Sequence, residues 1–181
     1  MSESPAPSPS PSDPTHPVPS AALGTLRTIQ MVSGMVGIGA LMLSAVRILV
    51  DPAAPMPPWP AVAVVLVVLV ASAVLVRRFG YTVPALPQGL PRENAETTSL
   101  RYFTSTTILR TAFAEAPVLV AFACSFVFQP HSWLPLLIAL PGGLALFWVH
   151  GWPSPRTAAA VEAGLEADGA ESWLSESLGF R

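Results

Sequence analysis

Between Thr111 and Phe128 a single charged residue, Glu115, interrupts an otherwise uncharged run, with Pro117 two positions beyond it. A carboxylate inside an apolar helix is costly when ionised and marks a functional hypothesis by default. Desolvation favours its protonated form, so Glu115 is a candidate proton-binding site that could couple proton movement to transport. The competing reading is structural: a protonated carboxyl donates a hydrogen bond to a neighbouring helix and does no chemistry. Arg47 and Arg110 lie within or at the ends of spans and, with Glu115, are the charges not explained by solvation of tails and loops. No nucleophile–base pair and no phosphate-cradling glycine loop accompany them, so no catalytic activity is expected. The single cysteine, Cys124, offers neither a disulfide nor a metal cluster. His131 and His150 flank opposite ends of the last apolar run, too far apart to share a metal. No metal and no cofactor are expected.

The elements that must position these residues follow from composition. Of 181 residues, 51% are hydrophobic and only 11% charged, with a mean hydropathy of +0.54; an ordinary soluble domain carries about 25% charged residues. The net charge of −2, with nine arginines and no lysine, gives no basic footprint for nucleic acid. Four apolar blocks lie at Thr28–Val46, Pro52–Val76, Thr111–Phe128 and Trp133–Trp152. A hydrocarbon core of about 30 Å needs roughly 20 helical residues, and helices satisfy their own backbone groups. The sequence therefore predicts an all-α fold: a four-transmembrane-helix bundle over residues 23–152, with helices near 25–49, 60–77, 100–128 and 133–151. Residues 1–22, with seven prolines, six serines and no aromatic residue, are expected to form a disordered tail. It lacks the basic n-region of a signal peptide. Residues 153–181 form an acidic, partly helical cytoplasmic tail.

Arginine placement sets the orientation. Arg27, Arg77, Arg78, Arg92, Arg101, Arg156 and Arg181 fall on one side, and only Arg47 lies at the other. The positive-inside rule then places both termini and the 78–100 loop in the cytoplasm of a multi-pass protein of the plasma membrane. Trp59 and Trp133 fall at the outer interface, Tyr81 and Trp152 at the inner one.

Each span has its own character. The second, with eight valines between Ala61 and Val76, is apolar on every face and expected to face lipid. In the first, Ser33, Gly37, Ala40, Ser44 and Arg47 fall within an arc of about 80° at 100° per residue. Such a small-residue stripe, flanked by Gly34 and Gly39, permits close helix packing or self-association. In the third, Asn94 with Glu93 and Glu96 reads as a capped helix start, giving a helix that projects into the cytoplasm. Thr104, Thr107, Thr111 and Glu115 share one face, continued by Val118, Phe122 and Ser125. Pro117 frees the carbonyl of Phe113 and can kink the helix beside Glu115. Glu115 lies about 20 Å below Phe128, too deep to meet Arg47. At its own depth the first helix presents Ser33, Gly34 and Gly37, so Glu115 is expected against that patch. Arg110 points elsewhere, expected to snorkel inward. In the fourth span, Pro135, Pro141 and Gly142-Gly143 predict a kink or close backbone contact.

Beyond it, Ser154 and Pro155 read as a cap and first helical position, with helix formers to about Asp168 and a break at Gly169. A second short turn carries Trp173, Leu174 and Leu178. Five acids and no base lie between Glu162 and Glu176. Anionic headgroups repel such a helix, so it is expected to contact a partner or dock on the cytoplasmic loop.

The stretch Arg110-Thr-Ala-Phe-Ala-Glu115-Ala-Pro117, with the four-span layout and Trp152-Pro153-Ser154-Pro155-Arg156 after the last span, resembles uncharacterised small integral membrane proteins of bacteria; it implies the four-span fold and no activity. Gly34, Gly37, Gly39 and Glu115 more distantly resemble the proteolipid ring subunit of rotary ATP synthases, where a glycine-rich helix packs beside one bearing a proton-carrying carboxylate. Four helices instead of two and a long proline-rich loop set this chain apart from it. Two functions follow as expectations: a structural or accessory inner-membrane protein that associates with itself or a membrane partner, or a proton-responsive transporter or channel component using Glu115. A holin-like pore is disfavoured, since no continuous charged face lines four helices.

Overall fold

The computed structural model describes residues 20–52 and 55–180, with side chains described from residue 24 onward. Six α-helices follow in order: α1 (Ser20–Val50), α2 (Trp59–Phe79), α3 (Arg92–Val127), α4 (Leu134–Leu146), α5 (Pro155–Leu165) and α6 (Leu174–Ser177), with a π-helical turn at Phe147–Gly151 extending α4. No strand occurs among the described residues. Four of the helical segments are long and apolar enough to cross a membrane: Gly24–Val50, Trp59–Phe79, Arg92–Val127 and Leu134–Gly151. The chain has the architecture of a multi-pass membrane protein.

The expected tail at 1–22 falls largely outside the described residues. Its last three residues, 20–22, instead open α1. The third helix also begins earlier than the cap at Asn94 implied. Pro91 is the N-cap, with φ −55° and ψ 141°; its carbonyl accepts from the backbone N–H of both Asn94 and Ala95 at 3.0 Å. Proline fixes the extended conformation that helix entry requires, which leaves Asn94 inside the first turn.

α3 is the axis of the molecule, packing against every other helix. Thirteen of its 36 residues are buried, among them Phe103, Thr107, Arg110, Ala114, Val118, Ala121 and Ser125. They run along its whole length, and α3 continues unbroken through Pro117. α2, by contrast, buries one narrow stripe of Ala61, Val65, Ser72 and Val76. Val67, Val70 and Val74 face outward with Met31, Met35, Ile38 and Met42 of α1. Large apolar side chains exposed on this scale fit a lipid surface, where exposure carries no hydrophobic penalty.

Close packing of α4 depends on its paired glycines. A Cβ at Gly143 would lie 2.9 Å from the Ala114 carbonyl oxygen and 2.9 Å from Val118 Cγ2, and one at Gly142 would lie 2.8 Å from both Leu69 methyls. The expected close backbone contact is therefore made on both sides, toward α3 and toward α2.

At the loop end of the bundle the C-terminal segment folds back as a cap. Ser154 accepts from the Thr157 backbone N–H while Thr157 returns a contact to the Ser154 N–H, a reciprocal capping box that starts α5. Glu166–Asp168 turns the chain, and Gly169 takes φ +81°, a conformation open to glycine at no steric cost. Val161, Leu165, Leu174 and Leu178 then bury against Leu86, Ala95 and Phe103, together with Leu26 and Ile29 of α1. The Leu86 backbone N–H donates to the Leu165 carbonyl at 2.8 Å. The acids that would repel a membrane are mostly engaged within this cap. Glu162 accepts from the Ser175 hydroxyl, Glu166 from Ser172 N–H and hydroxyl at 3.0 and 2.8 Å, and Glu176 pairs with Arg92 at 2.6 Å.

Candidate functional site

The two buried arginines have distinct partners. Arg47, 2% exposed in the last turn of α1, crosses to α3. Its Nε donates to Ser125 Oγ at 3.0 Å and its Nη2 to the Ser125 carbonyl at 3.3 Å. Asp51, one turn along its own chain, takes a hydrogen bond at its carbonyl and an ion pair at 3.5 Å. The guanidinium lies 4.8 Å from the Phe126 ring centre, a favourable cation–π placement. Arg47 belongs to the small-residue stripe of the first span and Ser125 to the Glu115 face of the third; the structure joins the two.

Arg110 corrects its expectation. It is fully buried and does not snorkel to an aqueous interface. Nη1 donates to the Gly80 carbonyl at 2.9 Å and Nη2 to Thr107 Oγ1 at 2.8 Å, with Tyr81 and Phe103 rings 4.7 and 5.8 Å from the guanidinium. The physical reason lies in α2. Its C-terminus presents unsatisfied carbonyls and the negative end of the helix dipole, which replace water as the partner of the cation. Gly80 makes the approach possible, since a Cβ there would lie 2.7 Å from Arg110 Cγ. Tyr81 in turn shares a 2.9 Å hydrogen bond with His150 Nδ1. Burial pushes the Tyr81 phenol up, against the smaller opposing pull of Arg110 and Arg156. The pairing of Tyr81 with His150 was missed in the sequence, although both had been assigned to one end of the bundle.

Glu115 differs from both arginines. It is half-buried and makes no hydrogen bond or ion pair with the described residues. It lines a cavity of about 370 Å³ between α1 and α3, together with Thr28, Ser33, Val36, Thr104 and Thr111. A smaller gap beside it meets Gly37, Ala40, Gly143 and Phe147. Ser33 and Gly37 are thus brought to Glu115, whereas a Cβ at Gly34 would meet nothing within 4 Å, so Gly34 takes no part in the packing. Thr111 is buried, its hydroxyl without a partner. Pro117, two residues beyond Glu115, is buried. The remaining stripe residues, Ala40 and Ser44, are also buried within the chain, so this stripe packs largely inside the bundle.

What the arrangement can do chemically is limited and definite. A carboxyl beside a largely apolar cavity, with no fixed cation, can exchange a proton or receive a donor from a bound molecule. Among the described residues no group of His, Cys, Asp and Glu is placed to hold a metal. No family model, no curated protein and no solved structure matches the chain.

Proposed function

We propose that the chain is a multi-pass protein of the plasma membrane with a non-catalytic, structural or accessory role, its termini and its α2–α3 loop in the cytoplasm. The observation that supports this reading is the docked cap. α5 and α6 are held on the loop end of the bundle by an apolar cluster, the Arg92–Glu176 pair, and Arg92 lying 4.2 Å over the Trp173 ring. With Arg47 and Arg110 engaged internally, most of the conspicuous polar residues hold one shape, as expected of a scaffold presenting a fixed surface to a partner.

One observation favours a second reading, a proton-responsive transporter or channel component. Glu115 is not engaged, and it borders a cavity of a size that binds small molecules. Reconstitution in liposomes carrying an internal pH dye separates the two. The accessory reading expects proton flux equal to that of empty liposomes. Flux above that background that disappears in Glu115→Gln would establish the transport reading instead.

A further inference from the structure

A second groove, about 330 Å³ in volume, runs between α2 and α4 on the side away from Glu115. Leu69, Ala73, Gly142 and Ala145 form its apolar length, and Arg77 and His150 lie at its end toward the cap. From Leu69 to Arg77 it spans about 12 Å at 1.5 Å per residue. The groove is therefore two-part: an apolar trough within the membrane-spanning helices and a basic head at their margin.

The basic end has no compensating acid. No carboxylate lines the groove. Arg77, Arg78 and Arg156 take part in no ion pair with the described residues. Arg156 follows His150 by six residues, just past the π-helical turn Phe147–Gly151 that ends the span. Arg156 is the second residue of α5, where the positive end of the helix dipole disfavours a cation; a bound anion would relieve that repulsion. Tyr81 occupies His150 Nδ1. In the neutral tautomer that accepts from the tyrosine, Nε2 carries the proton and is a ready donor.

We propose that this groove is a binding site for an anionic phospholipid, its acyl chain in the trough between α2 and α4 and its phosphate at Arg77, His150 and Arg156. Charge complementarity and position favour a lipid over a soluble anion. The trough opens onto the apolar surface of the bundle, and basic pockets between membrane helices on the cytoplasmic side suit anionic headgroups. The site is independent of Glu115 and rests on the proposed placement of the cap end of the bundle on the cytoplasmic side.

The test is lipid binding by the full chain purified in a neutral detergent, titrated with phosphatidylglycerol or phosphatidylcholine of equal chain length and read by native mass spectrometry. Phosphatidylglycerol is expected to bind selectively, with affinity falling about fivefold in Arg77→Gln and by a similar factor in Arg156→Gln. Ala145→Phe, which keeps every charge and fills the trough, is expected to weaken binding as well. Inorganic phosphate should not compete. Equal affinity for the two lipids would overturn the proposal, as would arginine variants that bind like the wild type. Unchanged binding in Ala145→Phe would reduce the site to surface charge, and competition by inorganic phosphate would make it a soluble-anion site; either result also overturns it. Should Ala145→Phe fail to give the wild-type circular dichroism spectrum, Ala73→Leu fills the same trough from the α2 side and is read in the same way.

Discussion

Arg47, Arg110 and Glu115 share a problem, a charge in an apolar setting, and solve it differently. The arginines find backbone carbonyls and hydroxyls at helix ends, where unsatisfied acceptors already exist. Glu115, well inside α3, finds no such partner among the described residues. Two consequences are measurable. Ser125→Ala removes the acceptor of Arg47 Nε and should cost about 1–2 kcal/mol, read as a lower midpoint of unfolding in mixed detergent micelles. Gly80→Ala drives a methyl into Arg110 Cγ and should cost about 1–3 kcal/mol through overpacking; an unchanged midpoint would show that Arg110 is not held as described. Depth arithmetic along an ideal helix was enough to separate Glu115 from Arg47 and to bring it to Ser33 and Gly37. It could not find the partner of Arg110, because Gly80 lies past the end of another helix and contributes only its backbone, which side-chain patterns do not reveal.

Among the helices, α3 does most of the positioning. Most of its threonines return their hydroxyls to carbonyls one turn back, as Thr104 does to Leu100 at 2.8 Å and Thr107 to Phe103 at 2.7 Å, whereas Thr111, beside the Glu115 cavity, does not. α4 approaches it through Gly143 at a distance that no side chain tolerates. Gly143→Val should therefore separate α3 from α4 and cost about 1–3 kcal/mol of stability, read as a lower unfolding midpoint. Gly37→Ala is the contrasting case, since its Cβ would meet only the Phe147 ring at 3.7 and 3.8 Å, ordinary contact, and a change within about 0.5 kcal/mol is expected. Equal effects of the two substitutions would contradict this division. The Gly142-Gly143 pair and the small-residue stripe were legible because they leave a compositional mark. Which of the small residues touch was not: Gly34 and Gly39 sit beside the stripe yet meet nothing, a matter of rotation by one residue. The early start of α3 was missed for a related reason, since Asn94 and Pro91 both carry helix-start signals and the proline prevailed.

At the scale of the whole molecule, four apolar helices, a cap folded on one end and a short turn at the other make an asymmetric body. Low charge content and four apolar runs anticipated the four long helices, and the break at Gly169 with the short turn after it anticipated the cap. The engagement of the cap acids by Ser172, Ser175 and Arg92 was not legible, because it depends on how the turn at Gly169 brings α6 back. In the proposed orientation the cap and the α2–α3 loop share the cytoplasmic side and the α3–α4 turn lies opposite. The most direct measurement is thiol labelling with a membrane-impermeant maleimide, in a Cys124→Ala background carrying a single new cysteine at an exposed position. His131→Cys should label in intact cells, whereas Gln88→Cys and Glu171→Cys should label only after permeabilisation. Labelling of Gln88→Cys or Glu171→Cys in intact cells, or protection of His131→Cys there, would contradict it.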